Sequence, residues 1–289
     1  MALIGQSHEL VADIHQGGGA ALSLTVLVAG AAMCLGASLW RSLSGDHRPA
    51  KSVLVSLQSA GLAAAFVALA YQVKAGDWLT SVDPAVLGWF TEHRSAWVTG
   101  PAIAVTDAGG PVGTIVLALV IGALLSRRAR SPIPALILIG TVGAAALAST
   151  VTKTVVGRAR PPIASQVLLE TDHSFPSGHA TEAMALFVTA ALILGYSWSP
   201  SRRAVLLVTA AAVVVVVSVT RLYLGEHWLS DVIGGMLLGG LAAVIGSALY
   251  SAWMGQSHGR RTGHSDAATT DTGTTDLCRS NSTMTGPAA

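Results

Sequence analysis

The chain reads as an all-α protein, a polytopic bundle of transmembrane helices. Three observations carry that reading. Of its 289 residues, 52% are hydrophobic and 11% charged, against about a quarter charged in an ordinary soluble domain. Its mean hydropathy is +0.59. Its apolar residues are gathered into seven runs of spanning or near-spanning length, at about 20–40, 52–73, 110–126, 132–152, 180–197, 203–220 and 232–253.

The first run is preceded by no Lys or Arg and followed by Arg41, Arg48 and Lys51. A cleaved signal peptide needs its positive charges before the apolar stretch. The opposite order predicts an uncleaved span with its N-terminus outside. Residues 1–49 are therefore expected to form an extra N-terminal span and a basic cytoplasmic loop, ahead of a membrane domain at 50–254. The basic clusters check the count of seven. Arg127, Arg128 and Arg130 follow the third run, Arg202 and Arg203 part the fifth from the sixth, and Arg260 and Arg261 follow the last. With the 41–51 loop they fall on one side, which the positive-inside rule makes cytoplasmic. The topology expected is N-out, C-in.

Between the second and third runs, Trp78, Leu79, Val82, Val86, Trp89 and Phe90 recur at roughly helical spacing. That pattern suits a helix lying in the outer interface, as an anchor or as a lid for a lipid. Trp40, Trp78, Trp198, Trp228 and Trp253 stand near span ends, as an aromatic belt requires. Gly235-x-x-x-Gly239 reads as a packing face within the bundle. From Gly255 onward, Ser, Thr, Gly and Asp replace large apolar residues, and 255–289 is expected to be a disordered cytoplasmic tail. The net charge of +2 and the lack of a basic face interleaved with aromatics point away from nucleic acid. Cys34 and Cys278 allow neither a disulfide framework nor a zinc site and read as free thiols. Nothing in the sequence sets an oligomeric state.

Chemistry concentrates between Lys153 and Asp231. Lys153 closes the fourth run, and Arg158 and Arg160 follow it. Basic residues at a span end ordinarily snorkel to headgroups, but three within eight residues on an outer edge suggest that an anion is held there. Pro161-Pro162 stiffens the chain behind Arg160, which aims a guanidinium for bidentate phosphate contact. Pro176-Ser177-Gly178-His179 precedes the fifth run. Ser177 suits an N-cap, which places the Gly178 and His179 N–H groups at the positive end of a helix, an anion site. Arg221, His227 and Asp231 lie between the last two runs. Four residues apart, His227 and Asp231 share a face in a helix, so the carboxylate can fix the imidazole tautomer. Alone, His-x-x-x-Asp also fits a surface pair or half a metal site. Glu226 adjoins it without a third and fourth ligand at convincing spacing, so no metal and no cofactor are expected. Together these groups suit metal-free phosphoryl transfer: cations and N–H groups hold the phosphate, one imidazole attacks and the other protonates the leaving group.

The order Lys-x6-Arg-Pro, Pro-Ser-Gly-His and Arg-x5-His-x3-Asp resembles the three-part signature of the type 2 phosphatidic acid phosphatase superfamily, which also contains vanadium haloperoxidases. The resemblance covers roughly 50–253, its motif matches lie within 153–231, and the span at 20–40 is additional to the usual six-helix core. One position departs, because Thr220 stands where the family usually has Ser. The resemblance implies that Lys153, Arg160, Arg221, Ser177 and Gly178 bind phosphate. It implies His227 as the nucleophile that becomes phosphorylated, Asp231 as its orienting partner and His179 as the general acid. His227 then starts neutral and His179 protonated, which predicts neighbourhoods that push their pKa values apart.

The function expected is hydrolysis of a lipid phosphate or diphosphate, such as phosphatidic acid, phosphatidylglycerol phosphate or a polyprenyl diphosphate like undecaprenyl diphosphate. It is expected at the outer face of a plasma membrane. A vanadate-dependent peroxidase and a non-catalytic lipid-phosphate binder or transporter are the alternatives. The apolar spans weigh against the first and the His227–Asp231 pair against the second.

Overall fold

The computed structural model describes residues 25–26, 28–30, 51–76 and 80–272. The span expected at 20–40 lies almost entirely outside these residues, as do Trp78 and Leu79. Eight α-helices follow from Lys51: α1 (Lys51–Ala75), α2 (Asp83–Glu92), α3 (Ala96–Ala108), α4 (Pro111–Ala129), α5 (Ile133–Val156), α6 (Gly178–Leu194), α7 (Pro200–Tyr223) and α8 (Leu229–Thr272). Among the described residues there is no strand. Five of these helices, α1, α4, α5, α7 and the Leu229–Gln256 stretch of α8, are long and apolar enough to cross a membrane, while α6 is shorter. This is a multi-pass helical membrane protein.

The chain divides into two compact units, Met1–Ala248 and Leu249–Ala289, and all the chemistry lies in the first. Helix α8 continues to Thr272, past the Gly255 at which the polar tail was expected to begin. Extending an existing helix adds one hydrogen bond per residue fixed, so a helix can run on through poorly helical composition.

The segment expected as one interfacial helix is two. Val86 and Phe90 on α2 pack against Ala180, Leu222 and Val232 of the core, whereas Trp89 and, on α3, Trp97 are exposed. One face is therefore committed to the bundle beside the first turn of α6.

The Gly235–Gly239 face packs within the bundle, as the sequence suggests. A Cβ on Gly235 would lie 2.6 Å from the Ser177 carbonyl oxygen, and one on Gly239 would lie 2.3 Å from the Thr181 carbonyl oxygen. Both obstacles are backbone, so α8 must move away from α6 to admit a methyl group. Gly239→Ala is expected to cost about 1–3 kcal/mol by overpacking and to reduce activity, because this contact sets the start of α6 against the start of α8. Denaturation and turnover of the detergent-solubilised variant check both effects.

Candidate active site

Three loops bring the sequence clusters together. The first begins where α5 ends. Gly157 closes the helix with φ +68°, its N–H donating to the Lys153 carbonyl, a left-handed conformation that glycine adopts without a Cβ penalty. Lys153 is thus in the last turn of α5 rather than at its end. Lys153 and Arg160 share Asp172: Lys153 Nζ reaches Oδ2, Arg160 Nη2 reaches Oδ1, and Arg160 Nε donates to the Asp172 carbonyl at 2.8 Å. Arg160 Nη1 donates to the Glu226 carbonyl at 2.8 Å and faces His227 Nε2 at 3.3 Å.

The second loop enters α6. Ser177 takes the N-cap position, but its hydroxyl makes no capping bond and, fully buried, has no hydrogen-bond partner. A Cβ added at Gly178 would meet nothing within 4 Å. The first turn of α6 therefore presents a free hydroxyl and open room beside N–H groups at a positive helix end, the features of an anion site. Across from it, a Cβ on Gly110 would lie 3.4 Å from His179 Nε2, which places this imidazole against the α3–α4 turn.

The third loop joins α7 to α8. Arg221 is 1% exposed. It pairs with buried Glu226 and, at 2.9 Å, with Glu170 Oε1, and it donates to Thr106 Oγ1 at 3.4 Å. The Thr220 hydroxyl bonds Thr106 Oγ1 at 2.8 Å, so this Thr in place of Ser keeps its hydroxyl engaged beneath Arg221. His227 Nδ1 lies 3.3 Å from Asp231 Oδ2. Only Asp231 is helical, so the shared helical face inferred from spacing does not produce this contact. Asp231 Oδ2 also accepts the Trp228 N–H at 2.9 Å, a third-position carboxylate bonding back to the N-cap backbone as in a capping box. The Ser177 N–H donates to the Asp231 carbonyl at 2.9 Å, which joins the second and third clusters directly.

The electrostatics follow from this crowding. Burial first, then Arg221, Arg160 and Lys153, hold His227 well below the ordinary imidazole range. Burial, then the charges of Arg221, His227, Lys153 and Arg160, push His179 down as well. The two histidines feel the same cations, so their pKa values move in one direction rather than apart, which corrects that expectation. Burial raises the Glu226 carboxyl against the pull of Arg221. For Asp172, burial pushes upward, but hydrogen bonds from Lys153 and Arg160 outweigh it and bring the carboxyl down to about 2.

All eight residues singled out by the sequence, Lys153, Arg160, Ser177, Gly178, His179, Arg221, His227 and Asp231, therefore border one locality. Four acids join them that sequence reasoning did not assign: Glu170, Asp172, Glu226 and Asp83. Arg158, which matches no position of the three-part signature, points inward to Asp231 Oδ1 and Asp83 Oδ2, at 2.6 Å each. An open cleft of about 360 Å³ lies alongside, lined by Arg160, Pro161, Ile163, Glu170 and Asp172 among others.

Residues 134–254 match the family model of the PAP2 superfamily. Phosphatidylglycerophosphatase B of Bacillus subtilis (strain 168) is 33% identical over 72 residues, which are 24% of this chain and 36% of that relative. The aligned segment thus spans about a third of the curated relative's length. The crystal structure of a transmembrane PAP2 type phosphatidylglycerolphosphate phosphatase from Bacillus subtilis superposes with a TM-score of 0.62 at 25% identity. That superposition covers 67% of this chain and 96% of that one. The three motifs lie within the segment that matches the PAP2 superfamily model, on a helical fold similar to that of the Bacillus phosphatase.

Proposed function

We propose that residues 50–254 form an integral-membrane phosphatase that hydrolyses a lipid phosphate through a phosphohistidine on His227, without a metal. The observation that carries this reading is the setting of the His227 ring. Nδ1 faces the Asp231 carboxylate, and Nε2 faces a guanidinium that can only donate. Both contacts are satisfied by one neutral tautomer, with the proton on Nδ1 and a lone pair on Nε2 directed among the cations. A phosphate held by Lys153, Arg160, Arg221, the Ser177 hydroxyl and the Gly178 N–H presents phosphorus to that lone pair. The Nε2–P bond forms as the P–O bond to the lipid breaks, and the lipid oxygen takes its proton from His179. Water then attacks the phosphohistidine and releases inorganic phosphate.

Because burial and the surrounding cations push the His179 imidazole down, it is expected to be neutral in the substrate-free site, and the proton it delivers arrives with the substrate. A phosphate monoanion beside a neutral imidazole and a dianion beside an imidazolium are the same complex in two arrangements. As the last phosphate proton is lost, with a pKa near ~6, kcat/KM is expected to fall on the alkaline side. His227 stays neutral as pH drops through its ordinary value of 6.5, so no loss is expected there. Arg160→Met weakens the cation field, lets His227 take a proton at higher pH and shifts the acid limb upward. A pH profile of kcat/KM for both proteins checks the sign.

Asp172 and Glu170 lie on the same cations that the phosphate needs. Binding must exchange carboxylate for phosphate. Asp172→Asn removes one competitor and is expected to lower the inhibition constant of inorganic phosphate several-fold, as measured by competition with a lipid substrate.

Both named relatives are phosphatidylglycerol phosphate phosphatases, so that monoester heads the substrate panel, followed by phosphatidic acid and undecaprenyl diphosphate. The basic loops support an N-out, C-in arrangement with the site on the extracytoplasmic side of a plasma membrane. The test is phosphate release from each lipid by purified protein in excess chelator. Turnover that needs an added divalent ion contradicts the metal-free step.

A further inference from the structure

We infer that Asp83 and Arg158 form a positioning pair that holds Asp231, and through it His227, in the attacking geometry, an inference that rests on the phosphatase reading above. Neither residue belongs to the phosphate-binding set. Asp83 is the first residue of α2 and is 2% exposed; Asp231 is 0% exposed. Arg158 bridges them: Nη2 donates to Asp83 Oδ2 and Nη1 to Asp231 Oδ1, each at 2.6 Å. Nη1 also reaches Ser230 Oγ at 2.7 Å. Ser230 closes the ring, donating its N–H to Asp83 Oδ1 at 2.9 Å and its hydroxyl to Asp83 Oδ2 at 2.5 Å. The guanidinium also lies 5.5 Å from the centre of the Trp228 ring, within cation–π range.

Each contact constrains one degree of freedom of Asp231. Its Oδ2 serves Trp228 N–H and His227 Nδ1, so Oδ1 is what remains to fix the plane of the carboxylate. Arg158 holds Oδ1 and supplies the countercharge that an ionised carboxylate needs when it is shut off from water. Arg158 is in turn held by Asp83, which is fixed because Val86 and Phe90 seat α2 on the core. The planar fork of arginine reaches both acids at once, which a lysine ammonium on a single stem does not. Helix α2 is thereby tied to the His227 imidazole by a chain of buried and part-buried hydrogen bonds.

The test uses the full-length protein in detergent or liposomes with Arg158→Lys, Asp83→Asn and the double variant. The readouts are kcat, KM, and inhibition by inorganic phosphate and by orthovanadate. Phosphate reports on the cation cradle alone, whereas vanadate also bonds the attacking nitrogen. Each single variant is expected to lower kcat roughly 10–100-fold, the range for residues that orient a reacting group from behind it. KM and phosphate inhibition should stay within about threefold, and vanadate inhibition should weaken at least about tenfold. The double variant should lose little more than Arg158→Lys alone, because the two act as a unit. Wild-type kcat in both single variants overturns the inference, as does a parallel loss of phosphate and vanadate binding. Should Arg158→Lys fail to fold, Asp83→Asn with the vanadate-to-phosphate ratio decides alone. Failure of the phosphatase reading is recognised separately, by turnover that survives His227→Ala.

Discussion

His227→Ala is expected to abolish turnover, with kcat lower by roughly 10⁴–10⁶-fold, the scale seen when a nucleophile that works as part of a unit is removed. The substitution leaves Lys153, Arg160, Arg221 and the first turn of α6 in place, so lipid binding and phosphate inhibition should survive within a few-fold. His227 is buried against Asp231, and truncation leaves that carboxylate with the Trp228 N–H and Arg158 as partners. His227→Gln, which retains a side-chain N–H, should be equally inactive and closer to wild type in thermal stability. Steady-state kinetics beside a thermal melt separates lost chemistry from lost fold. Equal phosphate release by wild type and His227→Ala rules out the mechanism.

Arg221→Met should be nearly as damaging, for two reasons with different pH dependence. The guanidinium is one of three cations around the proposed phosphate position, and removing a cation that meets transition-state charge costs on the order of 10³-fold or more. It is also the countercharge of Glu226, itself 0% exposed. Breaking a buried pair by deleting one partner typically costs about 3–5 kcal/mol. Glu226 already has its pKa raised by burial, and loss of Arg221 raises it further. A carboxyl raised in the folded state binds protons more tightly folded than unfolded, so its destabilising effect is present above the folded pKa and is relieved as pH falls. The stability deficit of Arg221→Met should therefore shrink on acidification from pH 7. Arg221→Met with Glu226→Gln should recover stability at pH 7 but not activity. Denaturation at two pH values, paired with turnover, tests both halves.

The parts of this site that were legible in the sequence are those whose chemistry dictates residue type. Phosphate needs cations, attack needs an imidazole with a partner, and an anion-binding helix start needs a small polar turn. Lys153, Arg160, Ser177, Gly178, His179, Arg221, His227 and Asp231 were singled out on those grounds. The apolar runs likewise gave six of the eight helices from Lys51 onward, α1 and α4 to α8, to within a few residues at most ends, because burial in lipid imposes long unbroken hydrophobic stretches; none of them marked α2 or α3. What escaped detection depends on pairing across the fold. Arg158 looks like any basic residue at a span edge until Asp83, 75 residues earlier, is seen beneath it. Glu170 and Asp172 sit in a loop with no periodicity, and their role exists only because the cations lie above them. The two histidines were expected to differ in proton affinity because catalysis requires different states. The structure surrounds both with one set of positive charges, and in the proposed mechanism the difference comes from the bound substrate. Lys153 was placed at a helix end because the hydrophobic run stops there, whereas the helix continues until Gly157 turns the backbone.

The proposed covalent step is open to direct observation. Protein mixed with a phosphorus-32-labelled lipid phosphate, in chelator, and quenched in alkali on the millisecond scale should carry label that is stable to base and labile to acid. Peptide mapping should place that label on His227 and on no other residue. Full turnover with no label trapped at any time point, or label on His179, would contradict the account.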